Sequence, residues 1–172
     1  MRPDTRLAPL VFGGGQERDV RPGTENVLGI VALGAAVEHA VRQLEATRAH
    51  MQGLRTLLAE ELANLQGCEL LEARGGGRDA FSPAIAALRL PGPQADVWMH
   101  HLEQEGVYTS VGAACHARSK KAPPGLLALG LDDASARQVL RLSFAKTTRA
   151  EDVRAAVAAL HRVAQELRVS AP

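Results

Sequence analysis

The sequence is poor in features that favour nucleic acid or an anionic membrane as a partner. Aromatic residues make up 3% of the 172 residues, which is too few for platforms that stack bases. The formal net charge is +1 and the pI is near 7.9, so no strong field of one sign surrounds the protein. We therefore expect no nucleic-acid partner.

Cysteine is scarce as well, with only Cys68 and Cys115. Two cysteines form neither a disulfide framework nor a metal knuckle, and no signal peptide precedes them, so we expect a reducing, cytoplasmic location. His100 and His101 are adjacent and would point about 100° apart on a helix, so they cannot share a metal ion. No metal site is predicted.

Long hydrophobic runs are missing too. The longest, Val27 to Val37, is about half of what a bilayer span needs, so we expect no membrane helix. The 46% hydrophobic content is still enough for a real core, and the length suits one domain of ordinary size.

Hydrophobic spacing predicts the secondary structure. Apolar residues at helical spacing predict helix over most of residues 26–66, with a break between His50 and Gly53 because an unbroken helix of that length is unusual. A capping box at residues 148–151 predicts the start of a closing helix. The element order predicts an α/β fold, a mostly antiparallel sheet covered by helices. Strands are expected at residues 68–71, 84–90, 107–111 and 139–144, and shorter helices at residues 96–105 and 124–129.

Cys115 follows a run of small residues and enters a basic loop. Four nearby cationic groups would favour its thiolate and lower its pKa: His116, Arg118, Lys120 and Lys121. This pattern suits a nucleophile. An unpaired cysteine beside solvated cations is the simpler interpretation of these residues alone. Cys68 begins an apolar strand and is expected to be buried and inert.

A polar, glycine-rich turn at residues 13–26 opens onto the long helix. Backbone amides at a helix N-terminus, the Thr24 hydroxyl and Arg21 are the usual components of an anion site. A plain helix start capped by Thr24 or Asn26 explains the pattern equally well.

Arg141 occupies the middle of the last strand. Alternation places Leu140, Leu142 and Phe144 on one face, and Arg141 with Ser143 on the other. Such an arginine pairs with a planar anion, which is either a protein carboxylate or a ligand carboxylate held bidentately. A structural ion pair is the preferred interpretation from these residues alone.

Three segments together, residues 12–26, 110–115 and 140–143, resemble the C-terminal half of a cysteine desulfurase or of the related selenocysteine lyase. These are pyridoxal phosphate enzymes of the class V aminotransferase superfamily. The resemblance implies that Cys115 takes sulfur from cysteine as a persulfide or assists the release of selenium. It also implies that Arg141 clamps the substrate α-carboxylate and that Thr24 reaches the cofactor phosphate of a partner subunit.

The same resemblance implies the domain organisation and the partners. Residues 1–45 would be a remnant of the large cofactor-binding domain, with its phosphate and dimer loop, and residues 46–172 the small C-terminal α/β domain of a fold-type I enzyme. The chain would then begin in mid-structure. Its partners would be a homodimer mate or the large-domain half, the small-molecule substrate, and an acceptor protein to which the long Cys115 loop hands sulfur.

One departure from the family leaves two functions open. Family members bind pyridoxal phosphate through a lysine just upstream of the segment where this sequence begins, whereas the lysines here are Lys120, Lys121 and Lys146, none in a matching motif. The chain is therefore either part of a cysteine desulfurase or selenocysteine lyase, or a non-catalytic remnant that acts as an interaction module.

Overall fold

The computed structural model describes Thr5 and residues 7–72, 82–111 and 124–169. The Cys115 loop lies outside these residues. The chain forms two compact units, Met1–Leu44 and Glu45–Pro172. The prediction that the N-terminal part is a remnant of a larger cofactor domain stays a prediction.

Helix α1 spans Val27–Leu62. Asn26 caps it, because its Oδ1 accepts a hydrogen bond from the Gly29 amide at 2.9 Å. Of the two caps that the sequence allowed, the structure therefore uses Asn26 and leaves the Thr24 side chain out of the cap.

The expected break between His50 and Gly53 is wrong, since α1 is one continuous helix of 36 residues. A glycine inside a helix costs only about 1 kcal/mol relative to alanine. Directly after Gly53, the helix buries Leu54, Leu58 and Leu62 in the core of the second unit. Packing of this stripe outweighs the local weakness at Gly53.

In the first unit, α1 carries a row of exposed aliphatic side chains. Their exposed fractions run from 52% at Val37 to 86% at Leu28. By length and composition alone α1 could cross a bilayer, with a mean hydropathy of 1.4 over 18 residues, none of them buried. Its uninterrupted apolar part, residues 27–37, is only about 16 Å long against a hydrocarbon core of about 30 Å. The absence of a membrane partner stays a prediction.

Within the described residues, the second unit is built on a four-stranded sheet. All three strand pairs are antiparallel, which confirms the predicted sheet type. Its strands are β1 (Glu69–Leu70), β2 (Ile85–Arg89), β3 (Ser110–Val111) and β4 (Val139–Ser143), and they lie in the order β1-β2-β4-β3. Its further helices are α2 (Ala95–Gln104), α3 (Pro124–Ala128), α4 (Asp133–Arg137) and α5 (Ala150–Glu166).

One face of this sheet forms the core. Leu88, Leu140 and Leu142 are buried in one cluster with side chains from the end of α1, from α2 and from α5. Trp98 of α2 belongs to this cluster and is fully buried, and its indole N–H donates to the Pro91 carbonyl at 3.2 Å. The alternation predicted for the last strand is thus confirmed at Leu140 and Leu142.

The start of α5 differs from the predicted capping box. Thr148 Oγ1 accepts a hydrogen bond from the Ala145 amide, so it closes the preceding turn instead of capping the helix. The Asp152 carboxylate accepts from the Arg149 amide at 2.8 Å, and the helix begins one residue later than the box implied. The strand β4 ends at Ser143, one residue earlier than predicted.

Candidate functional site

Arg141 lies at the middle of β4, between two neighbouring strands. It is directly opposite Ala87 of β2 on one side and Ser110 of β3 on the other. The guanidinium is half-buried, and its Nε donates a hydrogen bond to Ser110 Oγ at 3.1 Å. The sequence predicted the place of Arg141 on the polar face but not its partner Ser110.

No carboxylate pairs with Arg141 among the residues that the structure describes. Arg89 lies on the same face of the sheet and, unlike Arg141, forms an ion pair. Its Nε and Nη2 bind one oxygen of Glu69 at 2.9 and 2.6 Å. The structural ion pair that the sequence preferred for Arg141 is therefore not found within the described part of the chain, and its role in binding a ligand carboxylate stays a prediction.

The candidate anion loop belongs to the first unit. Gln16 Oε1 accepts a hydrogen bond from the Gly23 amide at 3.1 Å, which joins the two sides of the loop. The guanidinium of Arg21 donates to the carbonyls of Gly23 and Thr24 at 3.1 and 2.9 Å. Arg21 thus holds the loop backbone around Thr24.

The Thr24 hydroxyl makes no hydrogen bond within the described residues, and its side chain is exposed. Nearby, Glu17, Arg18 and Asp19 all have positive φ angles, of 48°, 57° and 60°. Left-handed backbone costs a non-glycine residue on the order of 1 kcal/mol. The loop thus has a strained backbone at residues 17–19 and an exposed Thr24 hydroxyl, and a binding role for Thr24 stays a prediction.

The structure describes only one of the two cysteines, Cys68. Cys115 and its four cationic neighbours lie outside the described residues, so the nucleophile assignment stays a prediction. Cys68 is a free, half-buried cysteine that packs against the core. Burial, with a smaller contribution from the charge of Glu69, raises the pKa of the Cys68 thiol to about 11. Cys68 is therefore a poor nucleophile, as its apolar setting in the sequence indicated.

A second arginine, which the sequence analysis did not single out, is structural. Arg55 of α1 is 4% exposed and donates to the carbonyl oxygens of Ile85 at 2.8 Å and Leu71 at 3.4 Å. Desolvation lowers the pKa of Arg55, and the Glu72 carboxylate 3.9 Å away opposes that effect. The guanidinium satisfies strand carbonyls at the end of the sheet, which is a role in stability.

One cavity of about 220 Å³ lies beside the end of β4 and the start of α5. Its described walls are mainly apolar, and the carboxylate among them, Asp152, already accepts hydrogen bonds from Arg149. Arg141 is not part of its lining. We assign no site to this cavity.

The second unit is thus an α/β domain whose antiparallel sheet has its core on one face and, on the other, an arginine with no acidic partner among the described residues. Comparison with known proteins identifies the family of the chain. The sequence profile of the class-V aminotransferases matches residues 7–156. The chain belongs to the class-V aminotransferase family.

Its relatives include both enzyme types that the sequence motifs suggested. Selenocysteine lyase of Bos taurus is 39% identical over 165 residues, covering 91% of this chain and 38% of the relative. An IscS-like cysteine desulfurase of Mycobacterium tuberculosis is 37% identical over 161 residues, covering 93% and 40%. The solved structure of a NifS-like protein is 28% identical with a TM-score of 0.77, covering 96% of this chain and 41% of that one.

These comparisons confirm the family and the fold. The chain spans about two fifths of the length of the curated relatives it matches. The catalytic activity and its substrates therefore remain proposals.

Residues of each unit, taken separately, suit a group of pyridoxal phosphate or of its substrate. The free Thr24 hydroxyl suits a phosphate oxygen, and the guanidinium of Arg141 suits a substrate carboxylate. Among the described residues the one lysine is Lys146, which is exposed just after β4, and Lys120 and Lys121 lie outside them. No chemical step of the cofactor is derived from this chain.

Proposed function

We propose that this chain is the C-terminal part of a pyridoxal phosphate-dependent enzyme that removes sulfur from cysteine or selenium from selenocysteine. The observation that carries the proposal is Arg141, which has no acidic partner among the described residues and sits in a class-V aminotransferase domain. The relatives named selenocysteine lyase and cysteine desulfurase support both substrates equally.

Arg141 binds the α-carboxylate of the amino-acid substrate. With Nε bound to Ser110, four of its five N–H donors remain, on the two terminal nitrogens. This pair of nitrogens matches the two oxygens of a carboxylate, which fixes the orientation of the substrate as well as its position.

Thr24 of one subunit binds the cofactor phosphate of the partner subunit, which requires a homodimer. The exposed aliphatic side chains of α1 in the first unit support association with the large-domain half of the enzyme, since soluble proteins rarely leave such a row in water.

Cys115 accepts sulfur from the substrate as a persulfide, or assists the release of selenium, and passes sulfur to an acceptor protein. Pyridoxal phosphate, when bound, supplies the electron sink that weakens bonds to the substrate carbon. His116 and the basic residues that follow it favour the reactive thiolate of Cys115 at neutral pH. We place this reaction in the cytoplasm.

The test measures substrate turnover by the complex that the protein forms in its own cells. The tagged chain is purified with whatever chains accompany it and is given pyridoxal phosphate with L-cysteine or L-selenocysteine, and released sulfide or selenide is measured. Cys115→Ala should abolish sulfide release, Cys68→Ala should leave it intact, and Arg141→Ala should raise KM for the amino acid. Release that is indifferent to both Cys115 and Arg141 would overturn the proposal.

A non-catalytic interaction module is the second candidate, because no lysine of this sequence lies in a motif that matches the family's cofactor-binding lysine. Such a module would bind a partner protein without supplying chemistry. The same purified assembly separates the two, since a module shows no release of sulfide or selenide above a sample that lacks the chain.

A further inference from the structure

We propose that Ser110 is a positioning residue for Arg141, which orients the guanidinium so that both terminal nitrogens face the substrate carboxylate. This inference rests on the proposed function of Arg141 as the carboxylate-binding residue. Ser110 itself touches the arginine and not the substrate.

The geometry follows from the strand register. Ser110 of β3 and Arg141 of β4 are directly paired, so their side chains leave the same face of the sheet side by side. The guanidinium Nε carries a single N–H, and that N–H donates to Ser110 Oγ at 3.1 Å.

This hydrogen bond selects one of two ways to bind a carboxylate. An arginine can offer Nε with one terminal nitrogen, side-on, or both terminal nitrogens, end-on. Because Ser110 occupies Nε, the side-on edge is closed and the end-on edge remains open. The serine also restricts rotation of a long side chain, so less conformational freedom is lost when the ligand binds.

A purely structural role explains the contact less well. The backbones of β3 and β4 are already paired through Ser110–Arg141 and Val111–Leu140. The core lies on the opposite face, where Leu140 and Leu142 are buried. The bond between Ser110 and Arg141 is therefore not needed to hold the strands together, but it does fix where the guanidinium points.

The experiment uses the full chain labelled with [15N]arginine, in low-salt buffer. The Nε–H resonance of Arg141 is identified by its absence in Arg141→Ala, and its shift is followed by NMR during titration with L-alanine. L-Alaninamide, which has no carboxylate, is the ligand control. The protein variants are Ser110→Ala, Ser110→Thr, and Ser135→Ala on α4 as a matched serine replacement away from the sheet.

We expect a saturable shift with L-alanine and none with L-alaninamide. Ser110→Ala should weaken L-alanine binding about three- to tenfold, the worth of one hydrogen bond, and should speed the exchange of the Nε–H with water. Ser110→Thr, which keeps the hydroxyl, should restore both, and Ser135→Ala should change neither.

The outcomes separate the two hypotheses. If the Arg141 resonance does not respond to L-alanine in the unsubstituted chain, the carboxylate role in the proposed function is wrong and the inference falls with it. If the resonance responds but Ser110→Ala binds L-alanine as tightly as the unsubstituted chain, or Ser110→Thr fails to restore binding, only the positioning role of Ser110 is overturned.

Discussion

Replacing Arg55 and Arg141 by alanine, one at a time, should distinguish an arginine that stabilises the fold from one that binds a ligand. Both lie in the second unit and both are at least half-buried, but their partners differ. Arg55 donates to two backbone carbonyls, whereas Arg141 donates to the single hydroxyl of Ser110.

The expected losses follow from those partners. Within the described residues, Arg55→Ala removes the side-chain donor to the Ile85 and Leu71 carbonyls, at a site where Arg55 itself is 4% exposed. An unsatisfied buried acceptor costs about 1–3 kcal/mol, and the lost packing of the side chain adds to that, so we expect a loss of about 3 kcal/mol. Glu72 adds little, because its own side chain is exposed to water.

Arg141→Ala removes one hydrogen bond and leaves no carboxylate without its partner within the described residues. A typical hydrogen bond contributes about 1 kcal/mol net, so we expect a loss of about 1 kcal/mol or less. Breaking a buried ion pair would instead cost about 3–5 kcal/mol. A structural and a ligand-binding arginine thus differ by more than the error of a denaturation experiment.

Urea unfolding measures both losses. Trp98 is the only tryptophan of the chain and is fully buried in the core of the second unit, so its fluorescence reports the unfolding of that unit. Arg162→Ala, which removes a surface pair with Glu105, is the control and should change stability by less than about 1 kcal/mol. If Arg141→Ala loses as much as Arg55→Ala, Arg141 is structural and its ligand role is refuted.

Three further predictions concern the cysteines, a helix cap and the cofactor. Limiting iodoacetamide across a pH series should label Cys115 before Cys68, because burial and the charge of Glu69 raise the pKa of the Cys68 thiol to about 11. If both cysteines are labelled equally fast, the assignment of Cys115 as the nucleophile rests on the family resemblance alone. Asp132→Ala should lower the urea midpoint at neutral pH, with a gap that shrinks in acid. The Ser135 amide bonds the Asp132 carboxylate at 2.7 Å and lowers its pKa, so this stabilisation is present above the unfolded value of about 3.9 and is lost as pH falls through the lower folded value. Asp132→Asn should keep the cap at every pH, and a gap between the native chain and Asp132→Ala that is constant with pH would contradict the assignment. Titration with pyridoxal phosphate should give no saturable Schiff-base absorbance beyond a surface-lysine control, and a stoichiometric adduct trapped by borohydride on Lys146 or another lysine would show otherwise.

Much of the fold could be predicted because periodicity reports burial directly. The alternation around β4 placed Leu140 and Leu142 in the core and Arg141 on the other face, as the structure has them. The continuity of α1 could not be predicted, since local propensity says little about how strongly Leu54 and Leu58 pack against the sheet. That information belongs to tertiary contacts.

The candidate site was predictable only in part, for a similar reason. Motifs single out Arg141 because an arginine in mid-strand is unusual, but the contact with Ser110 depends on the register of β3 against β4. Periodicity does not fix that register, and a slip of one residue would put Ser110 on the other face. Arg55 escaped notice because a charged residue on a helix usually faces solvent, although it lies three residues before the buried Leu58, a spacing that puts both on one side of the helix.

The most direct test is to find where the sulfur goes. The assembly purified with this chain is incubated with pyridoxal phosphate and L-cysteine, quenched with iodoacetamide, digested, and searched by mass spectrometry for persulfide on each cysteine. We predict a persulfide on Cys115 and none on Cys68. At low L-cysteine the Cys115 persulfide should be absent from the Arg141→Ala variant. Persulfide on Cys68, or sulfide release with Cys115 never modified, would contradict the assignment of Cys115 as the sulfur-accepting nucleophile.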